Sequence, residues 1–231
     1  MQLAGSGVLE AATGLLEKAR QLAADLLEAD PGDVVPGEEG LAVIGAPGSS
    51  VSWSLLAAEA QKRGEPLREE VDVFAESSYP FGAHLAVTEV DLDTGDARLV
   101  RHVAVDDCGT VVNPTLVEGQ IHGGVAQGVG QALYEEVVVG EDGTPLTGSL
   151  LDYAVPTAAE LPAVETLRTI TPSPNNLLGT KGVGESGTIG ATPAVQNAVV
   201  DALAHLGIRH LDMPVTSERV WRALLEVRRA E

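Results

Sequence analysis

Five glycines fall between residues 119 and 131, in the stretch GQIHGGVAQGVGQ, whose apolar spacing is that of a helix. Each glycine in a helix interior costs about 1 kcal/mol relative to alanine. A helix here must therefore gain something that only bare backbone allows. At about 100° per residue, Gln120, Gly124, Gln127 and Gln131 fall on one narrow stripe, while Val117, Ile121, Val125 and Val129 line another face. Two uses fit that pattern. A second helix can pack tightly on the glycines with the glutamines at a solvated rim. Alternatively, a polar ligand can lie on the glycines, held by amides that both donate and accept hydrogen bonds.

The surrounding sequence gives this helix its setting. Asn113-Pro114 opens it, and it is expected to run to about Glu136. Residues 83–92 and 97–105 read as strands joined by a hairpin turn at residues 93–96. Upstream, residues 8–28 read as a helix, with Leu9, Ala12, Leu16, Ala19, Ala23 and Leu27 at three- or four-residue steps. Residues 34–44 suggest a short hairpin. Ser50 or Ser52 can cap a helix to about Lys62, and residues 64–80 read as a connector. Downstream, a short strand is expected at residues 166–171, and Thr192-Pro193 reads as a helix start with Val195, Val199, Leu203 and Leu206 as its apolar stripe. Thr216 can cap a last helix, with Val215 and Val220 as a hydrophobic staple. The order of elements predicts an α+β fold, with no clear dividing linker.

Acidic residues outnumber basic ones 34 to 14, a net charge of −20, and they are scattered rather than gathered in a tail. Such a surface repels nucleic acid and anionic lipid, so neither is an expected partner. Cys108 is the only cysteine, which excludes an intramolecular disulfide and suits a cytoplasmic location. No apolar run approaches the ~20 residues of a membrane span. With no Lys or Arg before Lys18 and no apolar N-terminal stretch, no secretory signal is expected.

The second informative segment is GTKGVGESGTIG, residues 179–190. Gly182 to Gly187 match the spacing of a dinucleotide-binding loop, but a Pro-rich stretch stands where the strand leading into such a loop should be. What remains is a loop with many free N–H groups, Lys181 and Glu185, just before a helix. It suits an anionic cofactor. Glu185 can act as a base there, or it can simply brace the loop or the helix terminus.

The runs VDDCGTVVNPTLVEGQIHGGVAQGVGQALYEE, residues 105–136, and TPSPNNLLGTKGVGESGTIGATPAVQNAVVDAL, residues 171–203, resemble the molybdopterin-binding large subunits of the xanthine dehydrogenase / aldehyde oxidase / carbon monoxide dehydrogenase family. The ending His210-Leu211-Asp212-Met213-Pro214 and Glu218 to Trp221 is similar too, and the closer similarity is to the carbon monoxide dehydrogenase-like and aldehyde dehydrogenase-like bacterial branch. The resemblance implies an α+β fold, the C-terminal portion of the molybdenum-cofactor-binding domain. It implies a molybdenum–molybdopterin cofactor, with the cytosine dinucleotide as one form it can take. In that family a glutamate of this motif accepts the proton when substrate is hydroxylated, and electrons leave through iron–sulfur and flavin subunits. By resemblance Glu185 is the catalytic base. Gln120, Lys181, Gly182, Val183, Gly184 and Ser186 bind the cofactor, and no residue of this chain ligates the metal. Cys108 and His122 are expected to be ordinary buried residues.

Family subunits are much longer. The resemblance therefore implies that residues 1–231 form only the C-terminal part of the domain, without the upstream domain and the substrate loop. The expected function is a share of a molybdenum-dependent hydroxylase acting on an aldehyde, a purine-like ring or carbon monoxide. The isolated chain is expected to be inactive and to need a chain carrying the missing N-terminal half. The alternative is a non-catalytic remnant or an anion- or cofactor-binding module of the same fold.

Overall fold

The computed structural model describes residues 1–74 and 76–230. The chain divides into two compact units, one of residues 1–76 with 175–178, the other of residues 77–174 with 179–231. The main boundary falls at the end of the stretch that reads as a connector.

In the first unit, α1 (Gln2–Leu27) starts six residues earlier than its apolar stripe suggests, and Glu28 ends it in the left-handed conformation. The expected hairpin is present as β1 (Val34–Pro36) and β2 (Gly40–Val43), with Gly37 N–H donating to Gly40 O at 2.8 Å. A third antiparallel strand, β3 (Ala46–Ser52), pairs with β2. Ser52 caps α2 (Trp53–Lys62), its hydroxyl accepting from Leu55 N–H at 3.3 Å. Ala19, Leu22 and Ala23 of α1 meet Val34, Leu41, Val51, Leu56 and Ala60 in this unit's core.

The second unit is built on a sheet in the order β4 (Phe81–Val90), β5 (Ala97–Asp107), β6 (Val164–Arg168). β4 and β5 form the predicted hairpin, with one register shift at Val87/Thr88. β6 runs parallel to β5 and starts two residues earlier than expected. Two helices, α3 (Pro114–Leu133) and α4 (Ser186–Leu203), pack against each other, and α4 lies against β4 and β5. Asn113 caps α3 by accepting from Leu116 N–H at 3.1 Å. The core joins Ile121, Val125 and Val129 of α3 to Val195, Val199 and Leu203 of α4, with Leu99 and Ala104 from the sheet. The last helix, α5 (Ser217–Ala230), is capped by Thr216, and the stapling residues Val215 and Val220 are both buried.

Two expectations are corrected. Helix α4 begins at Ser186, not at Thr192-Pro193, and Pro193 lies inside it. Thr192 does not cap a helix start, because its hydroxyl bonds back to Thr188 O at 3.0 Å within the same helix. His122 is exposed rather than packed in the core, since it projects from α3 on the side away from Ile121 and Val125. Cys108 is, as expected, a buried free thiol, and burial pushes its pKa up.

Candidate functional site

The loop before α4 is pinned to the segment after β5. Thr110 N–H donates to Gly179 O at 2.9 Å, and Lys181 N–H donates to Cys108 O at 2.7 Å. Gly109 and Gly179 both take positive φ there, and a Cβ on Gly109 would stand 2.2 Å from Gly179 O. Lys181 turns inward. Its ammonium lies 3.0 Å from Asp107 Oδ1 and 4.4 Å above the Phe81 ring. Burial alone would raise the Asp107 carboxyl. Gly109 N–H, the Lys181 ammonium and the hydroxyls of Thr171 and Thr169 outweigh that and hold it well below the usual carboxylate range. The charge of Lys181 is thus matched inside the protein. What the loop leaves open is backbone at Gly182 and Gly184, both exposed, and a Cβ on Gly182 would meet nothing within 4 Å.

The glycine and glutamine stripe of α3 runs along α4. A Cβ on Gly124 would stand 2.9 Å from Gly187 Cα, and one on Gly128 would stand 2.7 Å from Ala191 Cβ. Each glutamine then meets α4 one turn further on. Thr188 Oγ1 is 3.0 Å from Gln127 Oε1, and Thr192 Oγ1 is 3.1 Å from Gln131 Oε1. At the open end of this zipper Gln120 is exposed, and a Cβ on Gly184 would lie 3.4 Å from its Oε1. Helix packing is therefore what Gly124 and Gly128 serve. Gly119 and Gly123 border open space and leave α3 backbone bare beside Gln120.

Glu185 occupies the N-cap position of α4. It is exposed, and its carboxylate makes no capping hydrogen bond. The next residue, Ser186, is buried, and its hydroxyl has no partner. Gln120, Gly184, Glu185 and Ser186 thus come together, although 64 residues separate Gln120 from Gly184 in the sequence. The Lys181 ammonium points elsewhere, and Val183 is half-buried against the core of its unit.

Sequence reasoning missed the polar groups beneath this surface. His84 Nε2 lies 3.3 Å from Asp106 Oδ2, and His84 Nδ1 lies 3.2 Å from His102 Nε2. In the neutral tautomer with His84 Nε2–H donating to Asp106, His84 Nδ1 accepts from His102 Nε2–H. That leaves His102 Nδ1 as a buried acceptor without a partner. Burial, aided by His84 and opposed by Asp106, pushes the His102 pKa down to about 4. The His84 ring takes the room left by Gly190, where a Cβ would stand 2.6 Å from it. A small cavity of about 90 Å³ lies between Phe81, His84, Asp106, Ser186 and Gly190. One signal was available: His84 and His102 both fall in the inward phase of strands, in step with Ala86, Val90, Leu99 and Ala104.

Two helices joined through glycines, with exposed amide, carboxylate and bare backbone at one end, make a surface suited to a flat polar ligand. Residues 1–162 match the molybdopterin cofactor-binding domain family, and the chain belongs to that family. The carbon monoxide dehydrogenase large chain of Hydrogenophaga pseudoflava is 40% identical over 230 residues, covering 97% of this chain and 29% of the relative. The 6-hydroxypseudooxynicotine dehydrogenase complex subunit gamma of Paenarthrobacter nicotinovorans is 37% identical over 237 residues, covering 99% of this chain and 30% of that subunit. The solved structure of reconstituted carbon monoxide dehydrogenase from Oligotropha carboxidovorans superposes with a TM-score of 0.85 at 36% identity, over 98% of this chain and 29% of that one. The chain therefore spans less than a third of the length of the relatives it matches. The α+β fold is that of the molybdenum-binding domains of this family.

The residues present fit one side of such a cofactor. Bare backbone at Gly182, Gly119 and Gly123 admits close approach, and Gln120 offers both a donor and an acceptor. Among the described residues no cluster of three or more His, Cys, Asp or Glu is placed to hold a metal ion. Among the described residues, no helix is long and apolar enough to cross a membrane.

Proposed function

We propose that this chain supplies the catalytic base, Glu185, and one wall of the molybdopterin site of a molybdenum-dependent hydroxylase. The observation that carries this reading is the meeting of Gln120 with Gly184 at the exposed, uncapped Glu185. When bound, the cofactor supplies a two-electron redox centre. Glu185 accepts the proton released by the oxygen that attacks the substrate carbon, which an exposed carboxylate without a competing hydrogen bond is free to do. The Gln120 amide and the backbone of residues 182–184 would orient the cofactor, whose pterin nucleotide would be the cytosine dinucleotide or another form. Ser186 offers one unpaired hydroxyl beneath that surface. The Lys181–Asp107 pair contributes by fixing the loop, because its charges are already matched.

The rest of the site is supplied by a polypeptide carrying the remainder of a large subunit, and electrons leave through iron–sulfur and flavin subunits, in a cytoplasmic complex. The names of the relatives support this class of activity, since they include a carbon monoxide dehydrogenase and a subunit of a dehydrogenase complex. The test is expression in a host that makes the cofactor, with and without the complementary part of the Hydrogenophaga large chain, followed by molybdenum analysis and substrate-dependent dye reduction. Metal retention and turnover only in the complemented preparation support the proposal. Retention of stoichiometric metal with turnover by the chain alone contradicts it. A complemented preparation that binds metal without turnover favours a non-catalytic cofactor-binding module.

A further inference from the structure

Strands β4 and β5 carry apolar residues in both phases. Their inward residues His84, Ala86, His102 and Ala104 face the helices, and the outward ones towards the Phe81 end of the sheet, Ala83 and Leu85 on β4 with Val103 and Val105 on β5, are apolar as well. Ala83 pairs with Val105, and Leu85 pairs with Val103. Val105 in turn pairs with Leu167 of β6. Leu85 and Leu167 are 56% and 58% exposed. A sheet that keeps one face in water normally alternates apolar and polar residues, whereas apolar residues in both phases mark a sheet covered on both sides. The patch has a charged rim on one side, where Arg101 pairs with Glu165 and Arg98 with Glu89. At its other end lies Phe81, directly beneath the Lys181 ammonium. The apolar face is therefore continuous with the loop that precedes Glu185.

We infer that the outer face of β4–β5–β6 is the docking surface for a polypeptide carrying the part of the large subunit that this chain does not span. The occupant presents aliphatic side chains to Leu85, Val103, Val105 and Leu167 and paired charges to the rim. Two observations select it. Nearly all of this chain matches less than a third of its relatives, so most of a large subunit lies outside it. The face also leads to the loop where the second wall of a cofactor site would have to stand. A second copy is a poor occupant, because two chains of net charge −20 repel each other. The inference rests on the reading of the chain as a large-subunit component, but it is tested without turnover.

Cys108 is buried and is the only cysteine, so Leu85→Cys and Leu167→Cys each create a single accessible thiol. The full chain is mixed with the Hydrogenophaga large chain lacking the matched segment, and thiol labelling is timed with and without it. Labelling should be fast in the isolated chain and at least tenfold slower in the complex. Leu85→Glu should weaken the complex at least tenfold while leaving circular dichroism and thermal unfolding unchanged. Absence of a complex, or a complex that labels at the rate of the free chain, overturns the inference. Slow labelling of the isolated chain, together with a dimer in sedimentation, also overturns it and makes a second copy the occupant. A protected face in a complex without turnover counts against the catalytic reading and leaves the docking surface standing.

Discussion

Replacing Gly124 with alanine puts a methyl group 2.9 Å from both Gly187 Cα and Thr188 N. Both neighbours are backbone atoms of α4, so no side chain can swing aside and the helices must separate by several tenths of an ångström. Overpacking of this kind costs about 1–3 kcal/mol, and a backbone-on-backbone contact belongs near the upper end. Against it stands the gain of about 1 kcal/mol from replacing a helical glycine by alanine. The net loss is about 2 kcal/mol. Gly123 is the internal control. It is the adjacent residue of the same helix, but a Cβ there meets nothing within 4 Å. Gly123→Ala should therefore show the propensity gain alone, about 1 kcal/mol. For a chain of this size 1 kcal/mol moves the midpoint by roughly 2–4 °C. Thermal unfolding followed by far-UV circular dichroism should place Gly124→Ala roughly 4–8 °C below the parent and Gly123→Ala roughly 2–4 °C above it. Equal shifts for the two variants would refute the argument that glycines 124 and 187 bring the helices together.

Lys181→Met removes one partner of the buried Asp107 and should destabilise the fold by about 3–5 kcal/mol in urea unfolding; a loss below about 1 kcal/mol would mean that the ion pair is dispensable. The folded pKa of Asp107 is depressed, so its contribution is full above the ordinary carboxylate value of about 4 and is lost as pH falls below it. Asp107→Asn should accordingly flatten the acid limb of a stability–pH curve. His102 acts in the same direction. Its folded pKa of about 4 lies below the ordinary histidine value of 6.5, so the unfolded chain binds a proton that the folded chain does not. Stability should fall as pH drops from 6.5 towards about 4, and His102→Phe should reduce that slope; an unchanged slope would show that His102 is protonated in place.

The helix caps, the two hairpins and the last helix were legible because each rests on local chemistry. Asn113, Ser52 and Thr216 cap where their side chains can reach a backbone N–H three residues on. The start of α4 was not legible. Thr192-Pro193 has every local mark of a helix N-terminus, and only the close approach of Gly187 to α3 reveals that the helix begins earlier. The glycine stripe was visible as a constraint, but its purpose was not, because its partners on the other helix lie 61 or more positions away in sequence. Strand β3, APGSSVS, carries almost no strand signal and is defined by pairing with β2. Within the candidate site, Gln120 and Glu185 could be singled out from motifs. The inward turn of Lys181 could not, since it depends on Asp107, Thr169 and Thr171 converging from two other segments.

The measurement that reaches the centre of this account is turnover of the Glu185→Gln variant in a cofactor-loaded complex. Glutamine keeps the size and hydrogen-bonding capacity of glutamate but cannot accept a proton at neutral pH. Glu185 is exposed and makes no capping bond, so the change should leave folding and molybdenum content unaltered. Loss of a general base lowers the rate by ~10²–10⁴, and a fall of that size at full metal occupancy is the predicted result. Turnover within a factor of two of the parent, at equal molybdenum content, would contradict it.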